Sequence, residues 1–105
     1  MNATHQLVLQ FQGDTLSDLD ALVAVEDMLT ELLQGYANVD GHDIGSGESN
    51  IFIHTTNPTN TFQRIQPALI RAGIFRSVTV AYRLLDKEKY TVLWPEDSIK
   101  PFKII

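Results

Sequence analysis

VDGHDIGSGESNIFIH, residues Val39 to His54, lies between two stretches of helical periodicity, and its reading decides the fold. Its glycines invite comparison with a phosphate cradle. Phosphate-binding glycines, however, lead from a strand into a helix, and in the P-loop they are followed by Lys and Ser or Thr. Here Gly45-Ser46-Gly47 leads into NIFIH, an alternating strand pattern, so the glycines are read as turn residues that supply positive φ. The stretch also lacks the alternating acids and distal glutamate of an EF-hand. It is therefore read as a hairpin. With Gly45 to Ser49 as the loop, Ile44 opposes Asn50, His42 opposes Phe52 and Asp40 opposes His54. Strand alternation then puts Asp40, His42, Ile44, Phe52 and His54 on one face, and Val39, Gly41, Ile51 and Ile53 on the other.

Before the hairpin, Leu7, Leu9 and Phe11 alternate with Gln6, Gln10 and Gln12, a half-buried strand ending at Gly13. DTLSDLDALVAVEDMLTELLQG follows, with Asp14 or Thr15 as the expected cap and Gly35 as terminator. Leu19, Leu22, Val23, Leu29 and Leu32 supply its apolar face; Asp18, Asp20, Asp27 and Glu31 supply a solvated one. After the hairpin, TNTFQRIQPALIRAG places Phe62, Ile65, Leu69 and Ala72 on one helical face. Pro67 is expected to kink it, because proline removes a backbone donor and crowds the preceding turn, at about 3 kcal/mol in a regular interior. SVTVAYRL, Ser77 to Leu84, is a strand, and YTVLWP begins another before Pro95 stops regular pairing. The tail ends apolar, with Ile99, Phe102, Ile104 and Ile105, and is expected to fold back on its own domain or dock on a neighbouring subunit.

The element order is β-α-β-β-α-β with an extra C-terminal strand. It resembles the ferredoxin-like split βαβ arrangement, an α+β sandwich in which two helices cover one face of an antiparallel sheet. The resemblance spans about residues 5 to 94 and lies in element order alone. It carries no iron-sulfur implication, since there is no cysteine. It also selects no function, because such folds host many. The expectation is one domain over residues 1–105, with a tail from 95 to 105.

No apolar run is long enough to span a bilayer and the first residues lack the order of a secretory signal, so a soluble, cytoplasmic protein is expected. The net charge of -5 argues against nucleic acid as the main partner. No Lys or Arg precedes Arg64: residues 1–63 carry nine acids, and the remainder carries eight bases against four acids. Complementary elements lying side by side would explain this, as would steering of a charged partner.

The candidate chemistry lies on the sheet face away from the helices. A carboxylate beside an imidazole fixes its tautomer and stabilises its protonated form, so Asp40 and His54, with His42 nearby, are the candidate acid-base residues of an enzyme reading. The same residues also have the donor types of a divalent-ion site, but their spacing across the hairpin argues against one, and neither metal nor cofactor is expected. Phe52, Arg83, Gln10 and Trp94 are the candidate ligand contacts, with Arg83 reaching an anion or pairing with an acid of the first half. Two readings follow. The preferred one is a small binding module, a homodimer through the open sheet face or the tail, recognising a protein or a small anionic ligand. The alternative resembles dimeric α+β barrel enzymes, in which facing sheets enclose a cavity for cofactor-free chemistry. A protein partner would also suit the acidic helix Thr15 to Leu33.

Overall fold

Side-chain and backbone caps set the bounds of both helices. The computed structural model describes residues 3–13, 15–16, 18–45, 47–96 and 102–104. After strand β1 (His5–Gln12), helix α1 (Leu19–Leu32) starts at Asp18, whose Oδ1 accepts the Ala21 N–H at 2.8 Å. The cap is thus Asp18 and not Thr15; Asp14 lies outside the described residues. The buried stripe also differs from the expected one. Leu22, Val25, Leu29 and Leu33 are buried, while Leu19 and Val23 stay 53% and 37% exposed. Both apolar stripes have helical spacing; the helix buries the one that reaches β1 and α2, and turns Leu19 and Val23 to its far flank. Arg64 reaches the C-terminal end of α1, where its Nε donates to Leu32 O at 3.3 Å while its guanidinium lies 4.7 Å from the Tyr36 ring centre. A cation there complements the exposed carbonyls of the last turn.

Helix α2 (Pro58–Arg71) is capped by Asn57, whose Oδ1 accepts the Asn60 N–H at 3.0 Å, with Pro58 in the first turn where a missing N–H costs nothing. It runs through Pro67 as one element. Pro67 is exposed, so the carbonyl it cannot satisfy has access to water, and the packed face of Phe62, Ile65, Ala68 and Leu69 carries the helix past it. Ala72, expected on that face, is exposed. Beyond the helix end, Gly73 donates to Ile70 O at 3.0 Å and Ile74 to Leu69 O at 3.1 Å, a Schellman closure with Gly73 at φ +74.

β2 (Asn38–Gly45) and β3 (Glu48–Thr55) form the hairpin. Gly45 pairs with Glu48, so the connection is shorter than the expected five residues. Gly47 takes φ +76, and its carbonyl accepts the Gly13 N–H at 2.9 Å, fastening the tip to the end of β1. Further along, a bulge at Asp40 shifts the register between Gly41, which faces Phe52, and Val39, which faces Ile53.

β4 (Val78–Leu84) follows a short 3-10 turn, and β5 (Thr91–Trp94) completes a five-stranded antiparallel sheet in the order β2-β3-β1-β4-β5. The architecture is α+β and compatible with a ferredoxin-like kind of fold, differing from a four-stranded β-α-β-β-α-β sheet in strand count and in the order at its β5 edge. Leu7, Leu9, Phe11, Ile51, Ile53, Val78 and Val80 point from the sheet into one core with the buried residues of both helices. No helix among the described residues is long and apolar enough to cross a membrane.

The Schellman closure gives the first prediction. A Cβ on Gly73 would meet nothing within 4 Å, so the penalty of a side chain there is purely that of its backbone angle. Gly73→Ala should lower unfolding stability by about 1–2 kcal/mol, and Gly73→Asn by less, since Asn tolerates left-handed backbone. Denaturant titration of both variants checks this, and equal losses would show that sterics set the penalty.

Candidate functional site

The pairing register arranges the sheet face away from the helices as rows of neighbouring side chains. In one row His54 lies between Asn38 and Gln6, with Arg83 beyond; in the next, Phe52, Val8, Ala81 and Val92 follow Gly41; in the third, Asp43, Asn50, Gln10 and Thr79 align. An apolar row is therefore held between two polar ones.

In the first row the side chains form a chain of contacts. Tyr90 Oη accepts from Gln6 Nε2 at 3.0 Å, which leaves Gln6 Oε1 facing His54 Nε2 at 3.3 Å. An amide oxygen only accepts, so Nε2 is the donor in this contact. Asp40, displaced by the bulge, brings Oδ2 to 3.8 Å from the same Nε2. That distance allows attraction but is too long for a hydrogen bond. Asp40 and His54 thus meet through the bulge, without the direct pairing expected for them.

The middle of the third row, Asn50 and Gln10, is buried. Gln10 is 6% exposed, and its Nε2 lies 2.8 Å from Glu48 Oε2, 3.1 Å from Asn50 Oδ1 and 2.8 Å from Lys103 O. Two amide hydrogens serve these three acceptors, so one is shared. Asn50 Nδ2 also donates to Glu48 Oε2 at 3.0 Å, and Gln12 Nε2 donates to Gln10 Oε1 at 3.1 Å. Among the described residues, the side-chain partners of the buried Glu48 carboxylate are the neutral amides of Gln10 and Asn50. The Lys103 carbonyl and the Phe102 ring, 4.9 Å from that of Tyr90, bring the tail across this face. The tail therefore folds back within its own chain; Ile99 and Ile105 lie outside the described residues.

The remaining candidates sit elsewhere. His42 faces Ile51 and so points to the helix side, where its Nδ1 lies 2.5 Å from Glu26 Oε1. The two-residue hairpin connection moved it there, along with Ile44, and no three-residue set of His42, His54 and Asp40 is gathered. Trp94 pairs with Val80, whose side chain enters the core, because an irregularity between Val80 and Ala81 reverses the alternation of β5. Its ring stacks on Phe75 at 5.0 Å with Phe62 behind at 6.5 Å, so Trp94 packs on the helix-side core and not on the open sheet face. Arg83 Nη1 donates to Leu84 O, Leu85 O and Lys87 O at 3.0–3.2 Å, bracing its own turn in place of an acid. Gln10, saturated by Glu48, Asn50 and Lys103, holds the tail. Phe52 remains half-buried in the apolar row.

Composition of the outer strand positions carried a signal for this cover. Gln6, Gln10, Gln12 and Asn50 are uncharged amides where a solvated face would carry Lys and Glu, and amides suit a layer that must bond internally.

The opposite situation holds at the sheet edge. Among the described residues no strand pairs with the outer side of β2, and Ile44 there is 52% exposed. The two crossover-linked strands run parallel, so α1 runs back against β2. With Glu26 beside His42, the earlier residues Leu19 and Val23 lie towards Ile44. Asp18, Asp20, Asp27, Asp40 and Asp43 are exposed around them, and neither α1 nor β2 contains Lys or Arg. The basic residues Arg83, Lys87 and Lys89 belong to the far edge. The ion pairs among the described residues both involve histidine; of the basic half, Arg64 lies against the C-terminal end of α1 and Arg71 lines a cavity with Glu31, away from the outer edge of β2.

No family model, curated protein or solved structure matches the chain.

Two outcomes are expected. Gln10→Leu should lower stability by about 1–3 kcal/mol by removing a donor from buried Glu48 and from Lys103 O, and should speed amide exchange of the tail near residue 103; unchanged exchange there would show that the amide does not hold the tail. Nitrogen NMR of the neutral His54 ring should show the Nε2–H tautomer, with Gln6→Leu shifting the population towards Nδ1–H.

Proposed function

We propose that the protein is a small binding module that captures another polypeptide along the flank formed by α1 and the outer edge of β2. The observation that carries this reading is the conjunction on one flank of an unpaired strand edge with Leu19, Val23 and Ile44, which are 53%, 37% and 52% exposed. Isolated exposed apolar residues are ordinary on protein surfaces, but three on the flank that α1 and the unpaired edge of β2 share suit a partner that buries side chains and backbone edge alike. The exposed acids of α1 and β2, which contain no Lys or Arg, would steer that partner in. Within this reading β1 to β4, taken alone in the order β2-β3-β1-β4 with both helices on one side, form the ferredoxin-like unit, and β5 is its extension.

An enzyme of the α+β barrel type is supported less. It would draw on Asp40 and His54, which lack a hydrogen bond to one another, on a face whose Gln10 and Arg83 already serve the chain itself. A homodimer through that face would have to displace or exchange the tail contacts at Phe102 and Lys103.

Selection from a displayed random-peptide library tests the flank. Peptides enriched on the protein should bind the Val23→Ser, Ile44→Ser double variant at least tenfold more weakly. Both side chains are exposed, so the variant should retain its fold, verified by circular dichroism. If selected peptides bind the variant equally, the flank is not the recognition surface.

A further inference from the structure

We infer that the occupant of this flank is an extended segment of another polypeptide with alternating apolar and basic side chains, added as a further strand against Gly41–Gly45. The inference rests on the binding-module reading and specifies its partner.

The alternation follows from the two faces of β2. His42 and Ile44 face the helix side, opposite Ile51 and Ser49, whereas Asp43 faces the other side, opposite Asn50. A strand laid along the outer edge places successive side chains on the same two faces. Those on the helix side meet Ile44 and the exposed flank of Leu19 and Val23, and gain by being apolar. Those on the other side meet Asp43 and, near the bulge, Asp40, and gain by being basic. Gly41 to Gly45 pair with Phe52 to Glu48 in unbroken register, so about five residues of regular edge are available before the bulge disrupts further pairing.

Charge also decides against a second copy at this edge. Pairing β2 with its own two-fold mate would bring Asp40 and Asp43 of each chain together, with no Lys or Arg on α1 or β2 to offset them. A folded acidic partner meets the same repulsion. A helical basic segment would match the charge but leave the strand edge unpaired.

Three synthetic octapeptides separate these possibilities: one alternating Val and Lys, its Val and Glu counterpart, and the Val and Lys peptide with every backbone nitrogen methylated. Titration against the labelled protein, followed by amide NMR shifts, should show the Val and Lys peptide moving resonances of Gly41 to Gly45. It should bind at least tenfold more tightly than either of the others, with Asp40→Asn, Asp43→Asn weakening it and flattening its salt dependence. Equal binding of the methylated peptide overturns strand addition, and equal binding of the Glu peptide overturns the charge assignment. Should the displayed library instead yield helix-forming or acidic binders that depend on Val23 and Ile44, the specific occupant falls while the flank remains the binding surface. If neither the octapeptides nor the selected peptides depend on the flank, both readings fall.

Discussion

Gly45 opposes Glu48 across a two-residue connection, and one extra residue at Asp40 shifts the pairing before Val39 meets Ile53. These two features decide which side chains of β2 see the helices. The Gly13 N–H, bonded to Gly47 O, holds the tip against β1 and so fixes the register from outside the hairpin. A slip of one residue in a strand exchanges its faces. Here the short connection sends His42 and Ile44 to the helix side, and the bulge returns the Asp40 carboxylate to the neighbourhood of His54. Both the Glu26 contact and the exposed apolar flank follow from that placement.

The two faces of the sheet are closed by different means. On one, both helices bury Leu7, Leu9 and Phe11 in a continuous apolar core. On the other, amides bond among themselves and to a returning tail, so Asn50 is fully buried without an unsatisfied partner among the described residues. Buried amides are tolerated when their donors and acceptors are all engaged. The arrangement fixes the tail by direction as well as by contact area, because Gln10 reaches a backbone carbonyl that only one placement of Lys103 presents.

Element order, the hairpin and the helix-side strand residues were legible from alternation and turn chemistry, which are local properties. The hidden parts depend on distance across the fold. Loop length could not be read from GSGES, where four of five residues suit a turn, and the bulges at Asp40 and in β5 leave no compositional mark; together they misplaced His42, Ile44 and Trp94. In α1, two apolar stripes share helical spacing, and only the position of α2 selects Val25 and Leu33 over Leu19 and Val23. Arg83 shows the same dependence: its charge invited an acid or an anion, but the carbonyls of the turn after β4 lie closer.

Edge strands are ordinarily protected by charge, by bulges or by shortness, because free backbone groups invite pairing with any chain. β5 is protected by its four residues and β2 by Asp40, Asp43 and a bulge. Protection by charge of one sign is selective, however. Aspartates repel a second acidic edge, including that of another copy, while attracting a basic one. The bulge limits the length of pairing without abolishing it, since Gly41 to Gly45 stay in register. Exposed Ile44, Leu19 and Val23 work against protection, because apolar surface at an edge rewards contact. An edge built only to avoid association would place polar residues there. The combination found on β2 and α1 excludes like-charged strands and leaves apolar surface for one that carries the opposite charge.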